Sequence, residues 1–67
     1  MNLKQTIKNN KNVTGITMWD NKNHKAVIRC LKNDEILVED LIHELGLTLI
    51  KTTGGFNNPE KNLIIKI

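Results

Sequence analysis

At 67 residues with a formal charge of +3, the chain is one small domain whose core leaves little margin over conformational entropy. A lone cysteine, Cys30, excludes an internal disulfide. No stretch approaches the roughly 18 apolar residues of a membrane span. The positive charge, carried by nine lysines and one arginine, permits contact with a polyanion without requiring it.

Residues 1–12, MNLKQTIKNNKN, are polar and basic, with Lys4, Lys8 and Lys11 among asparagines. They lack the apolar centre of a signal peptide, and a free thiol suits a reducing compartment, so a cytoplasmic protein is expected. Leu3 and Ile7 are spaced for one amphipathic turn. The segment otherwise reads as a frayed end or as a basic arm that orders on a partner, set apart from a single domain over 13–67.

Val13 to Trp19 reads as a strand, with Ile16 and Met18 on one side and Val13, Thr17 and Trp19 on the other. Gly15 weakens it or marks a bulge. Asp20-Asn21-Lys22-Asn23 is turn chemistry, because Asn and Asp tolerate the left-handed region and bond their own backbone. Lys25 to Leu31 returns as a second strand. Its Ala26, Ile28 and Cys30 form an apolar face expected to lie under a helix.

That helix is predicted over Asp34–Gly46. Leu37, Val38, Leu41, Ile42 and Leu45 fall on one face of a 3.6-residue period, with Glu35, Glu39, Asp40, His43 and Glu44 opposite. Asn33 or Asp34 supplies a capping oxygen, and Gly46 a stop. Ile36 is off the stripe. A rival reading makes Glu35–Val38 a short strand paired with Val27–Lys32. Leu47–Thr52 is a third strand, Thr53–Glu60 a long turn rich in Gly, Asn and Pro, and Leu63–Ile67 a fourth strand pairing with the third. The fold class is α+β, a ββαββ domain of two antiparallel hairpins packed with one central helix. The small core and the apolar last strand together suggest edge pairing in a homodimer.

The element order resembles that of swapped-hairpin transcription factors and antitoxins of the AbrB/MazE kind. Their second strand runs into a Val-Ile-Pro segment, whereas Val27-Ile28 is here followed by Arg29-Cys30. The stretch DLIHELGLTLIKTTGG is similar to the opening helix and strand of HicA-type toxins. Their active histidine after the glycine is replaced, since Phe56 follows Gly55.

Little in the residues points to catalysis. His24, Cys30 and His43 are the soft metal ligands, and none are at metal-binding spacing, so neither metal nor cofactor is expected. There is no serine, and Cys30 on an inner strand face reads as an inert thiol. Glu39, Asp40 and Glu44 read as the solvated side of the helix. Gly54-Gly55 lacks the spacing of a phosphate-binding loop. The constellation with chemistry is Trp19, Lys25, Val27, Arg29 and Leu31, placed together on the outer face of the first hairpin. Aromatic and basic groups on a sheet face suit stacking on unpaired bases and tracking of a phosphate backbone. Trp and Arg also dominate protein hot spots. The expectation is a small non-enzymatic binding or regulatory protein of phage or mobile-element type. It would contact nucleic acid or a nucleoprotein complex through Trp19, Lys25 and Arg29, with Lys8 and Lys11 assisting. The alternative is an inhibitor that binds a nucleic-acid-processing protein, and the third reading is a small ribonuclease toxin.

Overall fold

The computed structural model describes residues 2–67. In chain order it contains helix α1 (Leu3–Lys8), strand β1 (Val13–Asp20), strand β2 (Lys25–Leu31), a 3-10 turn (Lys32–Asp34), helix α2 (Glu35–Glu44), strand β3 (Thr48–Gly54) and strand β4 (Glu60–Lys66). The four strands form one antiparallel sheet in the order β1-β2-β4-β3. The ββαββ organisation and the two hairpins are as the residue pattern predicts. The helix reading of 35–38 prevails over the strand reading.

The core lies between the helices and one face of the sheet. Ala26, Ile28 and Cys30 of β2, Leu63 and Ile65 of β4, Val38 and Ile42 of α2, and Ile7 of α1 are all fully buried there. The expected inner face of β2 is therefore correct. Helix α2 docks slightly rotated from its predicted stripe. Val38 and Ile42 are buried and Leu41 and Leu45 half-buried, but Leu37 is 52% exposed and Ile36 71%. Asp34 precedes the helix without a side-chain capping bond. The preceding 3-10 turn sets the entry instead, and Lys61 anchors the first turn through Glu35 at 3.1 Å. At the other end Gly46 has φ +75°. Its N–H donates to the His43 carbonyl and that of Leu47 to Ile42, both at 3.0 Å, a Schellman closure that only a residue at ease in the left-handed region makes cheaply.

Two expectations are corrected. The described part of the first segment, residues 2–12, is not merely an arm or a frayed end, because Leu3–Lys8 form α1 and Ile7 completes the core. The asparagines of this segment form local hydrogen bonds. Asn2 Oδ1 accepts from the Gln5 N–H at 3.3 Å, and Asn10 Oδ1 accepts from the Asn12 N–H at 2.9 Å. The apolar run of β4 is not an edge awaiting a second copy. β4 sits inside the sheet with β2 on one side and β3 on the other, so its backbone groups are already paired and the homodimer route through Leu63–Ile67 is closed.

Candidate functional site

Both helices pack on the same sheet face, leaving the other open. What stands on the open face follows from register. Asp20, Lys25, Lys66 and Thr48 form one cross-strand row; Met18, Val27, Ile64 and Lys51 the next; Gly15, Arg29, Asn62 and Thr53 a third; and Leu31 faces Glu60 at the end. An apolar strip of Met18, Val27 and Ile64 thus runs across three strands with Lys25, Lys66, Lys51 and Arg29 around it. Lys25 and Arg29 are where the residue pattern put them. Lys51 and Lys66 join only because β2 pairs with β4, and no local signal in either hairpin announces that pairing.

Trp19 does not belong to this face. It pairs with Ala26 and packs against the core. The cause is a pair of bulges in β1, between Val13 and Gly15 and between Ile16 and Met18. Each inserts one residue and resets the alternation, so Val13, Ile16 and Trp19 meet Cys30, Ile28 and Ala26 on the inner face. The outer-face constellation therefore loses its aromatic, and with it the stacking platform expected there. Lys8 and Lys11 are exposed, but Lys8 ends α1 and Lys11 lies in the turn after it, and Ile7 of α1 packs on the helix-bearing side.

Arg29 is the most constrained cation on the open face. Its guanidinium crosses Gly15, with Nη2 at 2.7 Å from where a Cβ on Gly15 would stand. Nη1 lies 3.8 Å from Glu60 Oε1, and Glu60 Oε2 accepts from Thr14 Oγ1 at 2.6 Å. Its Nε is buried with no hydrogen-bond partner among the described residues. The group is held by packing over a bare backbone and by one long ion pair, which leaves much of its donor capacity unspent.

The modest net charge conceals a separation. The segment 34–44 holds five of the seven carboxylates and none of the ten cationic side chains. Asp34, Glu35, Glu39, Asp40 and Glu44 are therefore gathered on and just before α2, over the other side of the sheet. Glu60 and Asp20 are the carboxylates left elsewhere. Asp20 is committed to its turn, accepting from the N–H groups of Lys22 and Asn23 and from the Asn23 amide at 2.8–3.1 Å. Those bonds, the Asn23 side chain first, hold its carboxyl below the usual value.

Cys30 is in the core, where desolvation first and the nearby Glu35 second raise its thiol pKa. His24 sits in the β1–β2 turn with φ 57°, and His43 is exposed on α2. Among the described residues no group of three metal-ligating side chains occurs, and no helix is long and apolar enough to cross a membrane. Phe56, read from the residue pattern as part of a turn, is 95% exposed at the tip of the β3–β4 loop. Compared with protein-family models, curated proteins and solved structures, the chain matches none of them, so neither resemblance is carried further.

Proposed function

We propose that the chain is a small non-enzymatic binding protein that contacts nucleic acid, alone or within a nucleoprotein complex, through the open face of its sheet. The observation that carries this reading is the sorting of charge by face. Lys25, Arg29, Lys51 and Lys66 border an apolar strip on one side, while the carboxylates of α2 are gathered on the other. A polyanion is then drawn to the open face and away from the surface of α2, which orients the encounter. Contact is with the backbone, because no aromatic stands on this face. A regulator or accessory protein of phage or mobile-element type, working in the cytoplasm, fits this chemistry.

The test is titration with single- and double-stranded oligonucleotides at two salt concentrations. Binding should weaken with a slope of about −2 to −4 in log K against log salt, since each neutralised phosphate releases a counterion. Lys25→Glu with Arg29→Glu should abolish it; Lys25 is exposed and Arg29 half-buried with one long ion pair, so a melting curve of the double variant accompanies the titration. Absence of binding to any oligonucleotide at low salt refutes the reading.

A second reading is favoured by Phe56. An aromatic side chain so exposed is costly in water and is the residue type that anchors protein interfaces. Its loop is tied down: Lys32 N–H donates to the Pro59 carbonyl at 2.7 Å and Glu60 N–H to Asn58 Oδ1 at 3.0 Å. In this reading the chain inhibits a nucleic-acid-processing protein. Phe56→Ala, and not Arg29→Glu, would then remove activity.

A further inference from the structure

An open groove of about 710 Å³ lies where α1 meets the β1–β2 turn, lined among the described residues by Asn2, Leu3, Lys4, Trp19, Asn21, His24 and Ile67. Its position follows from the bulges of β1, which carry Trp19 to the inner face, and from the Ile67 N–H, which donates to the His24 carbonyl at 2.8 Å and draws Ile67 to the turn. Leu3, Trp19 and Ile67 are half-buried and supply its apolar wall.

The polar rim is one-sided. Trp19 Nε1 donates to Asn21 Oδ1 at 3.0 Å, so the indole offers the groove its ring and not its N–H. Asn21 has thereby used an acceptor and keeps its amide donors. Asn2 is in the same condition, because its Oδ1 is taken by Gln5 N–H. Lys4 adds an ammonium that only donates, and His24 an imidazole. No side-chain carboxylate is among the lining residues. The groove therefore joins an aromatic wall to a rim of amide donors and one ammonium, that of Lys4.

We infer that this groove is a binding site for a mononucleotide unit, its base stacked against Trp19 and its phosphate held by Lys4, with Asn2 and Asn21 donating to phosphate or base oxygens. Base–aromatic stacking accepts any base, because every base has a π-face. The site is separate from the open sheet face and does not rest on the reading given to that face. The same chemistry is presented by a free nucleotide and by a nucleotide within a strand.

Trp19 is the sole tryptophan, and the chain has no tyrosine, so its fluorescence reports the groove directly. The experiment titrates the whole chain with AMP and UMP, and in parallel with adenosine and inorganic phosphate. Saturable quenching by both nucleotides is expected, with adenosine and phosphate each much weaker. Lys4→Gln should weaken nucleotide binding on the order of tenfold, the scale of one charge-assisted hydrogen bond, with an unchanged melting curve. Lys25→Glu with Arg29→Glu should leave it unaltered, which keeps failure of this site distinct from failure of the sheet face. A short single strand that competes with AMP in that double variant identifies the unit as part of a strand. One that does not compete identifies the free mononucleotide. No saturable quenching by either nucleotide at millimolar concentration, or equal affinity of Lys4→Gln and the unaltered chain, overturns the inference.

Discussion

Trp19 stands directly across from Ala26, while Met18, one residue earlier, stands across from Val27 on the opposite face. In a strict strand Trp19 and Ile16 would point to opposite sides. Here both reach the core, because the bulge between them adds one residue. Trp19→Phe should therefore act first on stability, by thinning the packing over Ala26 and removing the bond to Asn21. Chemical denaturation should give a loss of about 1–2 kcal/mol. Salt-dependent polyanion binding by the open face should be unchanged.

In α2 the fully buried side chains outrank the central member of the sequence stripe. Ile42→Ala should cost about 2–5 kcal/mol, the range for truncating a buried aliphatic residue. Leu41→Ala should cost less, because Leu41 is only half-buried. Midpoints of urea unfolding for the two variants give the order directly, and the reverse order would mean that α2 docks on a different face.

Gly15 links the fold to the proposed interface. A methyl group there meets the end of a flexible side chain, so Gly15→Ala should leave stability nearly unchanged while displacing the Arg29 guanidinium. Polyanion affinity should fall with little change in melting temperature. Gly46→Ala is the contrasting case. Nothing lies within 4 Å of the added carbon, so the cost is backbone strain alone, about 1–2 kcal/mol, with binding unaffected.

The two shifted ionisations act at opposite ends of the pH scale. Cys30 stays protonated in the folded chain above the ordinary thiol range, whereas the unfolded chain ionises there. Its contribution is complete below that range and is lost as pH rises through it toward the raised folded value. Thiol reagents should label Cys30 slowly at neutral pH and rapidly on unfolding. Asp20 has the opposite sign. Its folded value is depressed, so its contribution is present above the ordinary carboxylate range and fades as pH falls below it. Protection of the Lys22 and Asn23 amides, which donate to Asp20, should fall in that acidic window, relative to intrinsic exchange at each pH, before that of the rest of the hairpin.

The sheet edges are β1 and β3. β1 carries two bulges and β3 one, between Leu49 and Lys51. Bulges and an edge lysine disfavour strand addition. Sedimentation should give the mass of a single chain, and Lys51→Val should raise self-association.

Element type was legible from local patterning. The period-2 face Ala26-Ile28-Cys30, the Asn/Asp turn and the glycine stop at 46 each express a constraint contained within a few neighbouring residues. Boundaries were less so, and β3 and β4 extend into the Gly- and Asn-rich turn because pairing carried through to Gly54 opposite Lys61. The candidate site was half legible. Lys25 and Arg29 follow from alternation within one strand. The facing of Trp19 depends on two bulges that become visible only when β1 is laid against β2. The contributions of Lys51 and Lys66 depend on which strands meet across the helix, and nothing local to them encodes that.

Of the three strand pairings, two join neighbours in the chain and one does not. The β2–β4 seam has seven paired positions, from Lys25 with Lys66 to Leu31 with Glu60. Each hairpin alone is marginal in water, and each contributes only part of the inner face that α2 covers. Cleavage at the exposed helix stop, Gly46, would thus leave two halves with little structure apart and a ready-made zipper between them. Mixed together, they should reconstitute the sheet by complementation, at a rate set by their concentration and with the open face restored only when both are present.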